Sequence, residues 1–203
     1  MNNGPTVYIV DDDPSVRDSL SWLLESENLA TSIFASAEEF LDAYHHEWNG
    51  CITLDVRMPG MNGLELQEQL DQRGNSLPII IITAHADVPM AIRAMKAGAF
   101  DFIEKPFLDE QLLNCLRRAI KAGGRARREQ DQRLEIEQRY ATLTPRERQV
   151  MQMVVAGKAN KVIAADLELS SKTIEAHRSR IMSKMKARSL SALVRMAMMI
   201  EPV

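Results

Sequence analysis

Four apolar runs in the first half of the sequence end in side chains that can do chemistry. In chain order these side chains are Asp11–Asp13, Asp55, Thr83 and Lys105. If each run is a strand of one parallel sheet, the four groups meet at the edge formed by the carboxyl ends of the strands, where open α/β sheets bind ligands. The residue types therefore predict an acidic site that also contains one hydroxyl and one ammonium group.

Carboxylates that lie close together repel each other, and a hard divalent cation relieves that repulsion. Ligands that are all oxygen favour Mg²⁺, with Mn²⁺ as its substitute. A carboxylate beside such an ion can attack a phosphoryl group and become an aspartyl phosphate. Lys105 would then pair with the phosphoryl oxygens, and Thr83 would donate a hydrogen bond to the same group. One alternative stays open, because acids after a strand also cap helices and Asp11–Asp13 precede one.

Alternating strand and helix patterns surround these residues. Predicted strands are Thr6–Val10, Ala30–Phe34, 51–54, 79–83 and 100–104, and predicted helices are 15–27, 37–45, 64–72, 88–97 and 108–122. Five such repeats predict an α/β doubly wound (βα)5 fold, in which helices cover both faces of a parallel sheet.

Charge divides the chain into two parts. Residues 1–122 carry 9 Lys and Arg against 19 Asp and Glu, a net charge of −10, whereas residues 123–203 carry 16 against 9, a net charge of +7. We therefore predict two domains with different partners, at residues 1–122 and 143–203. Glycines at 123 and 124 are expected to break the fifth helix at 121–124, and residues 123–142 are predicted to form a charged helical linker.

Hydropathy predicts no contact with a membrane. No apolar run approaches the ~20 residues that a membrane helix needs, and the first residues lack the basic and then apolar pattern of a secretory signal. A cytoplasmic location is the expectation.

The basic domain has the pattern of an all-α four-helix domain. Thr144, Pro145 and Glu147 form the start of its first helix, with the spacing of a capping box. A short second helix and a longer basic third helix, over about 171–185, then predict a helix-turn-helix. Arg178 lies at core spacing from Ile174 on the third helix, so its direction stays open.

Exposed positions of this helix-turn-helix are predicted to contact DNA. Three residues of the third helix are expected to face base edges, namely Glu175, Ala176 and Ser179. Phosphate contacts are expected from Lys172, Thr173, Arg180, Lys184, Asn160 and Lys161. A small helical bundle that binds protein remains the alternative.

The first domain resembles the receiver domain of two-component response regulators in four segments: VDDD at 10–13, LDVRMPGMNG at 54–63, ITAH at 82–85 and KPF at 105–107. The resemblance implies a flavodoxin-like fold with Asp55 as the phosphoacceptor. It implies a Mg²⁺ ion (or Mn²⁺) that is held by Asp12, Asp55 and the backbone carbonyl of Arg57, with Asp11 bound through water. It also implies that Phe102 rotates inward when Thr83 moves towards the phosphoryl group.

The second domain resembles the LuxR-type DNA-binding domain in LTPRE at 143–147, GKANK at 157–161 and TIEAH at 173–177. As a whole, the chain resembles a FixJ-type transcriptional response regulator. This resemblance implies that a sensor histidine kinase donates the phosphoryl group and that the phosphorylated receiver forms a homodimer through its fourth helix and fifth strand. It further implies promoter DNA and RNA polymerase as partners, activation as the output, and no enzyme activity beyond the receiver's own phosphorylation and dephosphorylation.

Two other functions fit parts of the pattern. A haloacid-dehalogenase-like phosphatase also uses a strand-end aspartate with Mg²⁺, although such enzymes usually have a second acid two residues later, where this chain has Arg57. An architectural DNA-binding protein that is independent of phosphorylation would have the same affinity for DNA with and without a phosphodonor.

Overall fold

The computed structural model of the chain describes residues 4–200. The chain divides into two compact units, residues 1–127 and 128–203. None of the helices formed between residues 4 and 200 has the length and apolar content that crossing a membrane requires.

The first unit contains a five-stranded parallel sheet in the order β2-β1-β3-β4-β5. This order is that of flavodoxin-like doubly wound folds, so the predicted fold class is confirmed. The strands are β1 Thr6–Val10, β2 Ala30–Phe34, β3 Gly50–Leu54, β4 Ile79–Thr83 and β5 Asp101–Glu104. The helices that follow them are α1 Pro14–Ser26, α2 Ala37–Ala43, α3 Gly63–Gln72, α4 Val88–Lys96 and α5 Asp109–Ala141.

Alternate residues of the inner strands β1, β3 and β4 enter two separate cores, one on each face of the sheet. In β1, Val7 and Ile9 join the core formed with α1 and α5, whereas Tyr8 and Val10 join the core formed with α2, α3 and α4. The isoleucines of β4 alternate in the same way. Burial on both faces explains why these strands are almost continuously apolar in the sequence.

The predicted break of the fifth helix is wrong, because α5 runs without interruption through Gly123 and Gly124 to Ala141. Neither glycine has a positive φ. Gly123 lies where the helix passes close to another part of the unit, and a Cβ there would stand 2.8 Å from Pro78 Cδ and 3.1 Å from Gly50 O. One turn further on, Arg127 donates hydrogen bonds to the carbonyls of Glu47 and Trp48. Close packing, rather than a change of direction, accounts for the glycine at 123.

The second unit is all-α, as predicted. It contains α6 Pro145–Val155, α7 Asn160–Asp166, α8 Ser171–Lys184 and α9 Leu190–Ile200. The predicted capping box at the start of α6 is confirmed, since Thr144 Oγ1 accepts from Glu147 N and the carboxylate of Glu147 accepts from Thr144 N. Ile136, near the end of α5, is 2% exposed and belongs to the core of this unit. Of the residues 123–142 that were predicted to form a linker, 123–127 belong to the first compact unit. Ile136, also in this range, belongs to the core of the second unit.

Candidate functional site

Two carboxylates and one ammonium group meet at the carboxyl edge of the sheet. Asp11 follows β1 and Asp55 follows β3, and these two strands are neighbours at the point where the strand order reverses. Lys105 follows β5. Its Nζ lies 2.7 Å from Asp11 Oδ2 and 3.1 Å from Asp55 Oδ1. The structure therefore brings together three of the residues that the sequence placed at this edge.

Burial makes these charges strongly dependent on one another. Asp11 is 4% exposed and Asp55 is 7% exposed, so water screens their mutual repulsion poorly. Burial raises the pKa of Asp55 above its ordinary value, although the neighbouring Lys105 opposes this rise. Burial alone would lower the pKa of Lys105, but hydrogen bonds and charge attraction from Asp11 and Asp55 outweigh it and raise that pKa. The ammonium group of Lys105 thus favours the ionised form of Asp55, against the effect of burial.

The chain after β3 wraps closely around Asp55. The N–H of Arg57 donates to Asp55 Oδ2 at 2.6 Å, so each carboxylate oxygen of Asp55 accepts one hydrogen bond. Gly63 begins α3 immediately behind this loop, and its N–H donates to Val56 O at 3.0 Å. A Cβ at Gly63 would lie 2.1 Å from the backbone oxygen of Asp55. Only a glycine allows α3 to begin so close to the end of β3.

The three aspartates in the loop after β1 differ in their contacts. Asp13 caps α1 by accepting from Ser15 N at 2.8 Å, so the capping alternative is correct for this residue. Asp11 instead binds Lys105, and Asp12 is exposed beside it. Arg17 donates from Nη1 to the backbone oxygen of Asp11 at 2.7 Å. The sequence analysis missed Arg17, since nothing in its spacing distinguishes it from a solvated arginine on α1.

Thr83 lies on β4, which pairs with β3, and Phe102 lies on β5, which pairs with β4. Thr83 ends β4, is 1% exposed, and its Oγ1 accepts from His85 N at 3.4 Å. Its backbone oxygen accepts from Lys105 N at 2.8 Å, which places the lysine backbone beside the threonine. Phe102 lies on β5 opposite Ile81 and is partly buried against the core on the α2–α4 face.

The donor set at this edge matches a hard cation in its chemistry. The side chains of Asp11, Asp12 and Asp55 and the carbonyl of Arg57 offer oxygen alone, as Mg²⁺ and Mn²⁺ prefer. Across residues 4–200, no three or more His, Cys, Asp or Glu side chains are already grouped closely enough to hold a metal ion. Asp11 and Asp55 converge on Lys105, and Asp12 stands next to them on the exposed side.

In the second unit, α7 and α8 form the predicted helix-turn-helix. The inner residues of α8, Ile174 and Ile181, are 0% and 1% exposed, and Met185 after its end is 0% exposed. The outer residues are exposed, apart from Thr173, which is partly buried: Lys172, Thr173, Glu175, Ala176, Ser179 and Arg180. Lys161 is exposed at the start of α7. These residues form one polar surface, which we call the α8 outer surface.

Two basic residues of α8, Lys184 and Arg178, make contacts that the sequence did not predict. Lys184 was predicted to contact phosphate, but its Nζ donates to Glu147 Oε2 at 2.6 Å and to Thr142 O at 3.1 Å. The carboxylate of Glu147 is almost fully buried, so this pair is part of the domain's structure and Lys184 leaves the set of predicted phosphate contacts. Arg178, whose direction was open, donates from Nη1 to Asn160 Oδ1 at 2.9 Å and thereby ties α8 to the start of α7.

A (βα)5 unit with a buried acid pair and a lysine at its carboxyl edge, followed by a helix-turn-helix unit, defines the class of DNA-binding response regulators. Residues 7–117 match the family described as response regulator receiver domain, and residues 141–197 match that described as bacterial regulatory proteins, luxR family. The chain belongs to the FixJ-type members of this class, which are transcriptional regulators of two-component systems.

Individual relatives span nearly the whole chain. The transcriptional regulatory protein FixJ of Azorhizobium caulinodans is 48% identical over 193 residues, which are 95% of this chain and 92% of that protein. FixJ of Rhizobium meliloti (strain 1021) is also 48% identical, over 95% of each chain. The solved structure of the response regulator StyR is 44% identical, covers 95% of this chain and 98% of its own, and gives a TM-score of 0.87. These relatives are regulators, which argues against the phosphatase alternative.

Proposed function

We propose that Asp55 accepts a phosphoryl group from a sensor histidine kinase and that this reaction controls DNA binding by the second unit. The observation that supports this most strongly is the position of Lys105, whose ammonium group bridges Asp11 and Asp55 at the edge where Thr83 also ends its strand. A buried acid with a lysine at hydrogen-bonding distance has both a nucleophilic oxygen and a neighbour for the incoming negative charge.

In the transfer, a carboxylate oxygen of Asp55 attacks the phosphorus atom of the donor's phosphohistidine. The bond from phosphorus to the imidazole nitrogen breaks, and that nitrogen keeps the electron pair and takes up a proton. Lys105 moves its charge from the acid pair to an oxygen of the transferred group, and the hydroxyl of Thr83 donates to another. Arg57 N keeps the Asp55 side chain oriented throughout, through its bond to Oδ2.

Asp12, Asp55 and the backbone carbonyl of Arg57 would hold a Mg²⁺ or Mn²⁺ ion, with Asp11 bound through water. Such an ion, when bound, neutralises charge on the phosphoryl oxygens and so favours their approach to the acidic edge. Arg17 fixes the backbone of Asp11 and thus the position from which Asp12 projects.

The added phosphoryl group carries about −1.5 to −2 charges at neutral pH. That charge attracts Thr83 and Lys105, and the movement of Thr83 frees space into which Phe102 rotates from its partly buried position. The resulting change in α4 and β5 creates the surface for a homodimer. Inverting a population from 1:99 to 99:1 requires about 5.5 kcal/mol of differential stabilisation, which the new contacts to the phosphoryl group have to supply.

Dimerisation brings two α8 outer surfaces to two half-sites of a promoter. Lys172, Thr173, Arg180, Asn160 and Lys161 contact phosphates, whereas Glu175, Ala176 and Ser179 face base edges. RNA polymerase is the further partner of an activator. An architectural DNA-binding protein without phosphorylation control would not need the cluster of Asp11, Asp55 and Lys105 in the first unit.

Sedimentation velocity tests this proposal. The full chain with Mg²⁺ is compared with and without beryllium fluoride, which stands in for the phosphoryl group, and Asp55→Asn serves as the control. We expect a monomer that becomes a dimer only in the wild-type protein with beryllium fluoride. An unchanged mass in the wild type, together with unchanged affinity for promoter DNA, would refute phosphorylation control.

A further inference from the structure

The loop that carries Arg57 is attached to α2 as well as to the sheet. In this loop, residues 57–62, the N–H of Met61 donates to Glu38 Oε1 at 3.0 Å. Glu38 belongs to the first turn of α2, so the bond joins two segments that are 23 residues apart. Gly60 comes immediately before the contact and has a φ of +75°, a conformation that favours glycine.

The carboxylate of Glu38 lies directly against Gly60. A Cβ at Gly60 would lie 2.8 Å from Glu38 Oε1, closer than non-bonded atoms approach. The glycine thus lets the loop lie directly on the carboxylate of Glu38. On its other side the loop is fixed by Arg57 N, which donates to Asp55 Oδ2. Glu38 and Asp55 therefore hold the two ends of the segment that contains the backbone carbonyl of Arg57.

The contact with Met61 N–H lowers the pKa of Glu38 below its ordinary value, so the carboxylate is ionised at neutral pH. A hydrogen bond to an ionised acceptor is roughly twice as strong as one between neutral groups. Glu38 is exposed, and water replaces part of this bond when it breaks.

We propose that Glu38 is a positioning residue for the phosphorylation site, which fixes the loop at Met61 so that the carbonyl of Arg57 and the carboxylate of Asp55 face the same edge. This inference rests on the proposed function of Asp55. It assigns α2, which touches none of the reacting atoms, a role in preparing the acidic edge for the cation and the phosphoryl group.

The neighbouring residue supplies a matched control. Glu39 also lies in the first turn of α2, but its carboxylate accepts from Ala35 N at 2.6 Å and has no bond to the loop. Glu39→Ala weakens the start of α2 without touching Met61. Glu38→Ala removes the acceptor for Met61, and Glu38→Gln keeps an acceptor oxygen while it removes the charge.

Two measurements on the full chain test the inference. Amide hydrogen exchange at Met61, in metal-free protein, reports the hydrogen bond itself. The rate of phosphorylation by a small acyl phosphate with Mg²⁺ reports its consequence. For Glu38→Ala we expect exchange at Met61 to become about threefold to tenfold faster and phosphorylation about threefold to tenfold slower, as for the loss of one charged hydrogen bond that water partly replaces. Glu38→Gln should recover only part of both losses, because it keeps an acceptor oxygen but lacks the charge that strengthens the bond, and Glu39→Ala should match the wild type.

Equal phosphorylation rates in Glu38→Ala and the wild type would overturn the inference, as would a Glu39→Ala protein that is as slow as Glu38→Ala. If the wild type itself takes up no phosphoryl group, the proposed function of Asp55 fails. Exchange at Met61 in the three variants would still show whether Glu38 holds the loop.

Discussion

Replacing Gly124 with alanine should stabilise the first unit, whereas replacing its neighbour Gly123 should destabilise it. Both residues lie inside α5 and neither has a positive φ, so alanine fits the backbone at both positions. In a helix, alanine is favoured over glycine by about 1 kcal/mol. At Gly124 a Cβ meets nothing within 4 Å, and this gain should appear in full.

At Gly123 the same gain is opposed by close packing. The new Cβ would stand 2.8 Å from the ring of Pro78 and 3.1 Å from the backbone oxygen of Gly50, and neither is the free end of a flexible side chain. Forcing a methyl group into a packed site costs roughly 1–3 kcal/mol. The two variants should therefore differ by about 1–3 kcal/mol in the free energy of unfolding, although they add the same atoms at adjacent positions.

Tryptophan fluorescence during urea unfolding measures this difference in the intact chain. Both tryptophans, Trp22 and Trp48, lie in the first unit, and Trp48 stacks on Tyr8 with ring centroids 4.2 Å apart. A gain of about 1 kcal/mol at Gly124 corresponds to a rise in Tm of roughly 3–5 °C for a unit of this size. A Gly124→Ala protein that is less stable than the wild type would refute a continuous helix through 123–124. Equal effects of the two substitutions would refute the packing argument.

Three further predictions concern the second unit. Ile136→Ala should destabilise this unit by about 2–4 kcal/mol in urea unfolding followed by circular dichroism, because the side chain of Ile136 is buried in the core. Leu134→Ala should change the stability little, because the side chain of Leu134 is 49% exposed. Lys172→Ala should weaken DNA binding and lower the slope of log K against log salt by about 0.9, while Lys184→Ala should leave that slope unchanged because its ammonium group is bound to Glu147. Hydrogen bonds from Lys184 and Thr144 lower the pKa of Glu147 in the folded state, so its stabilising contribution is present above about pH 4.3 and is lost as pH falls through the folded pKa. Glu147→Gln should remove this part of the acid dependence, and an unchanged pH profile would contradict the ion pair.

The sheet and its acidic edge could be predicted because both depend on short-range patterns. Apolar runs such as Ile79–Thr83 identify buried strands, and right-handed crossovers leave few arrangements for five βα repeats. Once the strands are parallel, residues that follow them must share one edge. Asp11, Asp55 and Lys105 are therefore brought within hydrogen-bonding distance although 94 residues separate the first from the last.

The contacts that the sequence did not predict are each decided by tertiary structure. Gly123 looks like a helix breaker, but its local cost of about 1 kcal/mol is small beside the packing of α5 in the core of the first unit. Lys184 looks like a free cation on a basic helix, yet its partner Glu147 lies 37 residues earlier. Glu38 similarly has no sequence pattern that connects it with Met61.

The phosphorylation of Asp55 is tested most directly by the intact mass of the full chain after incubation with a small acyl phosphate and Mg²⁺. We predict a gain of one phosphoryl group in the wild type, located on the peptide that contains Asp55, and no gain in Asp55→Asn or when the metal is chelated. A phosphoryl group on another residue, or equal labelling of Asp55→Asn, would contradict the assignment of Asp55 as the phosphoacceptor.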